Sequence, residues 1–305
     1  EDAGGADQAG ATAVFAEAAV GGTATASVEL VLYEPPMRVR VEKAVYGGAG
    51  LAHQTGGVDA GRAVFVPFTL PGELVEARLT GEKEGFGEAT LGGVLEPSAD
   101  RVAPLCAHFG ECGGCQYQHA AYAAQIAMKM EILRETLERT GLTGLPEVVV
   151  HSSKALGYRN RIRLRVSMVD GLLRVGYNRR GSNEFLAIEE CPIAAPLLWR
   201  AAAALVQIGT EDQTAGRWMR GAEEVEFFST GDEKKLQMTV FVRKERTAGF
   251  NEFCERLRKL VPELVGAGVS SLPGGGSQRR VQKVRALQDW SAAGLSYAAA
   301  SAEYW

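Results

Sequence analysis

Cys106-Ala107-His108-Phe109-Gly110-Glu111-Cys112-Gly113-Gly114-Cys115 places three cysteines in one short run, spaced C-x5-C-G-G-C. A fourth stands far downstream, in Glu189-Glu190-Cys191-Pro192-Ile193. Thiolates are soft ligands, and four of them suit a cubane iron–sulfur cluster or a tetrahedral zinc ion. Wrapping three thiolates around one centre needs a tight loop, and glycine at 113 and 114 tolerates positive φ at no steric cost. Cys191 closes a long loop, so a metal here staples two parts of the chain together. Three other readings compete. Disulfides are disfavoured because Cys254 makes the count odd and nothing resembles a secretory signal. Zinc has His108 and His119 nearby for a mixed set, but two close ligand pairs are its usual spacing. Unrelated buried cysteines are common but do not cluster. The iron–sulfur reading is preferred.

Composition sets the bounds. A length of 305 residues suggests two or three domains, and 46% apolar content sustains a real core. No apolar run approaches the length of a membrane span. The chain reads as a cytoplasmic monomer with no membrane partner. A net charge of −4 does not advertise nucleic-acid binding, which must therefore come from a local patch. The chain opens on Glu1 rather than Met and ends within a strand-like pattern at Trp305, so it reads as a cut piece.

Residues 1–36 are Ala/Gly-rich and acidic and read as a disordered tail, with a weak extra strand at 27–33. From residue 37 the pattern turns to strands. Val39 and Val41 alternate with Arg38 and Arg40. Tyr46-Gly47-Gly48-Ala49-Gly50-Leu51 is a glycine turn, not a dinucleotide fingerprint. Strands follow at 62–68, 74–79 and 86–95, and this density of short strands predicts a small β-barrel over residues 37–97. After a linker at 96–101 and the cysteine loop, Tyr122, Ile126, Met130, Leu133 and Leu137 line one face of a helix, read as a core-packing stripe.

Arg159, Arg161, Arg163 and Arg165 alternate with Asn160, Ile162, Leu164 and Val166. A strand has a period of two, so the four arginines share one face and the aliphatics bury the other. Residues 154–180 hold eight basic residues against Asp170 alone. Charges packed this closely repel unless something anionic neutralises them, and RNA phosphate is the obvious candidate. The arginines would clamp phosphates rather than read bases. Tyr158 and Tyr177 flank the patch and are available to stack on bases. The bland alternative is a solvated sheet face. Arg179 and Arg180 belong to the same RNA-binding set.

Beyond Cys191, residues 195–208 read as a helix and 224–229 and 236–243 as a strand pair. Phe250, Phe253, Leu257 and Leu260 form a helix face, and Cys254 on this helix is read as a small core or surface residue, not a ligand. Residues 272–278 are a glycine-rich loop without the features of a phosphate loop. Residues 278–287 are basic, and 294–305 alternate like a strand.

Several of these runs resemble a known family. Gly61-Arg62-Ala63-Val64-Phe65-Val66-Pro67-Phe68-Thr69-Leu70-Pro71-Gly72-Glu73 resembles the centre of a TRAM domain, a small RNA-binding β-barrel of the oligonucleotide-binding kind. Pro97-Ser98, Arg101, the Pro104-Leu105-Cys106 run, Cys112-Gly113-Gly114-Cys115-Gln116-Tyr117-Gln118-His119, Tyr158-Arg159-Asn160-Arg161 and Cys191-Pro192-Ile193 resemble, in order and spacing, the front of bacterial RNA uracil-5-methyltransferases of the 23S rRNA or tRNA type. The resemblance implies a [4Fe–4S] cluster on Cys106, Cys112, Cys115 and Cys191, and methyl transfer from S-adenosylmethionine to carbon 5 of a uridine. It implies a fold of mixed β and α+β class: an OB-like barrel, then an α+β cluster-binding domain over residues 98–305. The Rossmann-like methyltransferase domain, with the nucleophilic cysteine, the base and the S-adenosylmethionine site, is expected downstream and absent. On that reading no catalytic or S-adenosylmethionine-binding residue lies in the chain, the chain alone is inactive, and the helix over about 116–139 leaves part of its apolar face exposed. Three alternatives rank lower. A radical methylthiotransferase would need C-x3-C-x2-C spacing and an open iron. A non-catalytic RNA-binding protein with a structural iron–sulfur or zinc site, and an electron carrier, are the others.

Overall fold

The computed structural model describes residues 36–56, 59–211, 214–244, 247–271 and 285–292. The acidic tail, the glycine-rich loop, most of the basic segment at 278–287 and the strand expected at 294–305 lie outside the described residues.

Five strands close a barrel in the order β1-β2-β3-β5-β4: β1 Met37–Ala44, β2 Ala49–His53, β3 Ala63–Pro67, β4 Leu74–Lys83 and β5 Phe86–Glu96. Closure leaves no free sheet edge. The alternation that predicts the strands also fills the barrel, with Val39, Val41, Val64, Val66, Val75 and Ala77 all buried inside. The β1–β2 turn carries Gly47 and Gly48 at φ +96° and +91°. A Cβ on Gly48 would lie 2.4 Å from Gln116 Cβ, so this turn presses directly on the segment that follows the cysteines.

The helix α1, Tyr122–Arg139, packs on the barrel. Met128 is buried with Ala44, Leu70 and Ala120, while Ile132 and Tyr117 close the cluster. Lys43 of β1 pairs with Glu135 one turn further on. The expected stripe is therefore not the packing face. The helix turns Met128 and Ile132 toward the barrel, and Tyr122 and Leu133 stay exposed. The helical period was legible, but the ion pair and the small apolar patch on the barrel set its rotation.

The rest of the chain builds one seven-stranded sheet in the order β12-β11-β10-β9-β6-β7-β8. Its strands are β6 Arg161–Val169, β7 Leu172–Asn178, β8 Phe185–Ala187, β9 Ala222–Ser229, β10 Leu236–Val242, β11 Leu264–Ser271 and β12 Arg285–Ser291. Three helices, α2 Pro196–Thr210, α3 Thr214–Met219 and α4 Phe250–Leu260, pack on one another and on one face of it. Ile162, Leu164, Val225, Phe227, Met238 and Val240 point into this layer and meet Leu198, Leu205, Phe250 and Phe253. Cys254 lies in the same core, fully buried.

The expected α+β domain that stops short of any Rossmann-like layer is corrected here. β10 and β11 are parallel, and α4 is the crossover between them. A parallel pair needs such a crossover, and this β-α-β unit is the element from which Rossmann-like layers are built.

A single buried carboxylate fastens the barrel to the linker. Glu73 has no solvent exposure and accepts from Arg101 Nε at 2.5 Å, from the Leu70 amide at 2.8 Å and from the Ser98 amide at 3.1 Å. Arg101 also donates to the Phe68 carbonyl at 2.9 Å. Burial alone pushes the Glu73 carboxyl up, but the Arg101 side chain and the two amides outweigh it and hold it below the ordinary value of 4.5. A depressed carboxylate contributes its stability above the unfolded value and loses it as the pH falls through the folded one. Glu73→Ala is expected to cost about 3 kcal/mol at neutral pH, because it strands a partly buried guanidinium and two amides. Urea denaturation measures this. The wild type should also lose stability below pH 4.5 more steeply than the variant, and coincident pH profiles would refute the assignment.

Candidate metal centre and nucleic-acid interface

Residues 106–115 fold as a string of turns. The Phe109 amide donates to the Cys106 carbonyl at 3.1 Å, and the Glu111 and Cys112 amides donate to the His108 carbonyl at 3.2 and 2.9 Å. Positive φ in this loop falls at Gly110, at +95°, and not at Gly113 or Gly114. The reason expected for the paired glycines is thus corrected. A Cβ on Gly114 would sit 3.6 Å from Cys112 Sγ and fill the space beside the sulfur, and one on Gly113 would touch the Asn178 carbonyl at 3.7 Å.

The loop is pinned to the turn after β7. The Gly113 amide donates to the Asn178 carbonyl at 3.3 Å, and the Arg180 amide donates to the Glu111 carbonyl at 2.7 Å. Arg179 pairs with Glu111 at 2.7 Å and Glu184 at 3.2 Å. The Cys191 segment is pinned separately. The Gly157 and Arg159 amides donate to the Pro192 and Ile193 carbonyls, both at 2.9 Å. Gln118 ties the first loop to itself, accepting from the Cys106 amide at 3.1 Å and donating to Cys115 Sγ at 3.4 Å.

These pins bring Cys106, Cys112, Cys115 and Cys191 around one cavity of about 490 Å³. Among the described residues, no three His, Cys, Asp or Glu side chains gather as ligands of a single ion. His108 lines the cavity. His119 does not; it is buried with Nε2 at 3.4 Å from the Thr69 carbonyl, and its ring packs on Phe109. Burial pushes the Cys106, Cys112 and Cys115 thiols up; a local hydrogen bond opposes this in each, and the neighbouring sulfurs add to it. Four thiolates here need compensating positive charge. The Tyr177 hydroxyl is buried, with the Cys191 thiol beside it. Cys254 stands apart in the core, its thiol pushed up by burial, which suits neither ligand nor nucleophile.

Arg159, Arg163, Arg165 and Arg179 line the same cavity. β6 begins at Arg161, and its alternation is as expected: Ile162 and Leu164 buried, Arg161 and Arg163 exposed. The arginines are not left to repel one another. Arg161 makes a bidentate pair with Glu226 at 3.0 Å, and Arg163 pairs with Glu224 at 2.5 Å and stacks 4.0 Å over Phe241. Arg165 donates to Asn178 Oδ1 and the Asn183 carbonyl at 2.9 and 2.8 Å. Arg180 lies 4.7 Å over Phe68 of the barrel. Among the described residues Arg159 has no carboxylate partner, and its charge lies close to Cys112 and Cys115. The glutamates answering the stripe come from β9, the antiparallel neighbour of β6. The alternation of Glu224 and Glu226 was the available signal for them, and the pairing of β9 with β6 was not legible. Tyr158 is 51% exposed at the edge of the patch, whereas Tyr177 is mostly buried and lines the cavity rather than offering a stacking face.

Residues 37–91 match the TRAM domain family. Over 163 residues the chain is 40% identical to an uncharacterized RNA methyltransferase of Aquifex aeolicus, covering 53% of this chain and 36% of that protein. It is 40% identical over 155 residues to the 23S rRNA (uracil(1939)-C(5))-methyltransferase RlmD of Halomonas elongata, covering 49% and 32%. The chain spans about a third of the length of the curated relatives it matches. Among solved structures, Pyrococcus abyssi tRNA (uracil-54, C5)-methyltransferase in complex with S-adenosyl-L-homocysteine aligns with 83% of this chain and 55% of its own, with a TM-score of 0.53 and 18% identity.

The last match overturns two expectations. The fold class was read as broken off before a methyltransferase layer; instead, barrel and sheet together follow the fold of a solved methyltransferase over most of the chain. The expected inactivity of the chain rested on that break and falls with it. Residues 37–91 thus form a TRAM domain, and over about half of its length the chain is similar to RNA methyltransferases, among them the 23S rRNA uracil-C5 enzyme.

Proposed function

We propose that this chain recognises RNA and holds a [4Fe–4S] cluster within an S-adenosylmethionine-dependent RNA (uracil-C5-)-methyltransferase acting on rRNA or tRNA. One observation carries the reading. Four cysteines from two distant segments line one cavity, and Arg163 and Arg165 of β6 line it with them.

The residues present fit a cluster. Four thiols line a space of about 490 Å³, room for a group of several atoms. The buried Tyr177 hydroxyl beside Cys191 gives a donor to a sulfur acceptor, and Gly114 keeps the space beside Cys112 clear. Cys106, Cys112, Cys115 and Cys191 would hold the cluster, which supplies a rigid tether and positive charge rather than an open coordination site. Arg159 adds a cation next to Cys112 and Cys115.

The RNA lies over the arginines. Arg159, Arg161, Arg163, Arg165, Arg179 and Arg180 present guanidinium groups to phosphates, and Tyr158 offers an exposed ring to a base. Glu224 and Glu226 hold Arg163 and Arg161 in extended rotamers and compete with phosphate for them. The reaction breaks the methyl–sulfur bond of S-adenosylmethionine, forms the bond from that methyl carbon to uridine C5, and releases the C5 proton with S-adenosylhomocysteine as the leaving product. No membrane partner is invoked; no described helix is long and apolar enough to cross a bilayer.

Two experiments test this. With labelled S-adenosylmethionine and RNA containing 5-tritiated uridine, the protein should incorporate methyl label and release tritium in equal amounts. RNA bound with neither signal would make it a non-catalytic RNA-binding protein instead. Second, Glu224→Gln with Glu226→Gln should tighten RNA binding and steepen its salt dependence, whereas Arg159→Ala with Arg163→Ala should flatten the slope by about two. Slopes unchanged in both would return the stripe to a solvated face.

A further inference from the structure

A second surface, away from the arginine stripe, has the makings of a nucleic-acid path. A cavity of about 690 Å³ lies between the cysteine loop, the start of α1 and residues 151–158, lined by Tyr117, Tyr122, Tyr158, Lys129 and Lys154. A neighbouring cavity of about 550 Å³ shares Tyr117 and Lys129 and continues along α1 to Tyr46 on the barrel turn. Cys115 and Gly114 line both the first of these and the cysteine cavity, so the groove starts beside the metal centre.

Three features of the lining point the same way. No carboxylate lines either cavity, whereas Glu224, Glu226, Glu111 and Glu184 all answer arginines on the other face. Among the described residues Lys154 has no acidic partner, and Lys129 sits 5.8 Å over the Tyr117 ring. Tyr46 is 90% exposed at the tip of a glycine turn, and Tyr122 is fixed by a 2.7 Å hydrogen bond to the Ser153 carbonyl. Aromatic rings set along a cationic groove are the pattern that holds single strands, with bases stacked and phosphates neutralised. The apolar side of α1 that stays exposed, with Tyr122 and Leu133 on it, borders this groove.

We infer that the groove from Tyr46 along α1 to Tyr158 binds a single-stranded segment of RNA, bases on the tyrosines and phosphates on Lys129 and Lys154. The inference deepens the RNA-binding reading above and rests on it. It separates two contacts: the arginine stripe takes one part of the RNA, and the tyrosine groove takes an unpaired stretch that passes beside the metal centre.

The test uses a uridine oligonucleotide with photoreactive 4-thiouridine and the full chain. Crosslinks should map to the peptides that hold Tyr46 and Tyr158. Tyr46→Ala with Tyr158→Ala should weaken binding about tenfold or more, and Lys129→Ala with Lys154→Ala should lower the salt slope by about one to two. Thermal denaturation checks that the variants fold, and Tyr46 is exposed enough that its replacement disturbs no packing. If the wild type binds but these variants bind equally well, or crosslinks fall only on the arginine face, the groove is not an RNA path. The RNA-binding reading would then stand and the groove would be left to a protein partner. If the wild type binds no RNA, both readings fall together.

Discussion

Cys191 can reach the loop of residues 106–115 only if the chain between them is folded back on both sides of the meeting point. The turn after β7 grips the loop through Asn178 and Arg180, and residues 157–159 grip the Cys191 segment through Pro192 and Ile193. Both grips are backbone hydrogen bonds from β6–β7 and its flanks, so the sheet edge is the scaffold of the metal centre. The barrel is tied to the same place from the other side. Glu73 holds Arg101, Gly48 abuts Gln116, and Phe68 meets Phe109 and Arg180. Barrel, loop and sheet thus share one junction, and the four thiols sit at its centre.

Electrostatics at this junction are balanced locally rather than globally. The chain is net acidic, yet residues 154–180 hold eight basic residues against Asp170 alone. Cross-strand glutamates compensate part of that charge at little net gain, since exposed pairs contribute only about 0–1 kcal/mol. Such pairs are weak enough to exchange for phosphate. They also keep the free protein from carrying an uncompensated cationic stripe. The groove along α1 is arranged differently, with aromatic rings and two lysines in place of carboxylates. The two faces therefore offer different chemistry to one RNA: rigid guanidinium clamps on the sheet and stacking platforms along the helix.

Much of this was legible in residues whose role is set by short-range pattern. The period of two in residues 39–41 and 159–166 placed Val39, Val41, Ile162 and Leu164 inside and the arginines outside. The spacing of Phe250, Phe253 and Leu257 placed α4 against the core. What failed was long-range. Which strand lies beside β6 depends on pairing across the sheet, so the Glu224 and Glu226 partners of Arg163 and Arg161 were invisible. The rotation of α1 depends on a patch of barrel that the helix sequence does not contain. The parallel β10–β11 pair follows from a strand at Leu264–Ser271 that the reading missed, and with it went the layer beyond the cluster domain. Gly113 and Gly114 of the cysteine loop were read as positive-φ residues, but Gly110 alone takes the left-handed turn.

The most direct test of the account is the metal and acid-labile sulfide content of protein purified without oxygen, with Cys191→Ala alongside. The account predicts about four irons and four sulfides per chain, both falling sharply in the variant because the ring of thiols is opened. About one zinc per chain without sulfide, or iron content unaffected by removing Cys191, would contradict it.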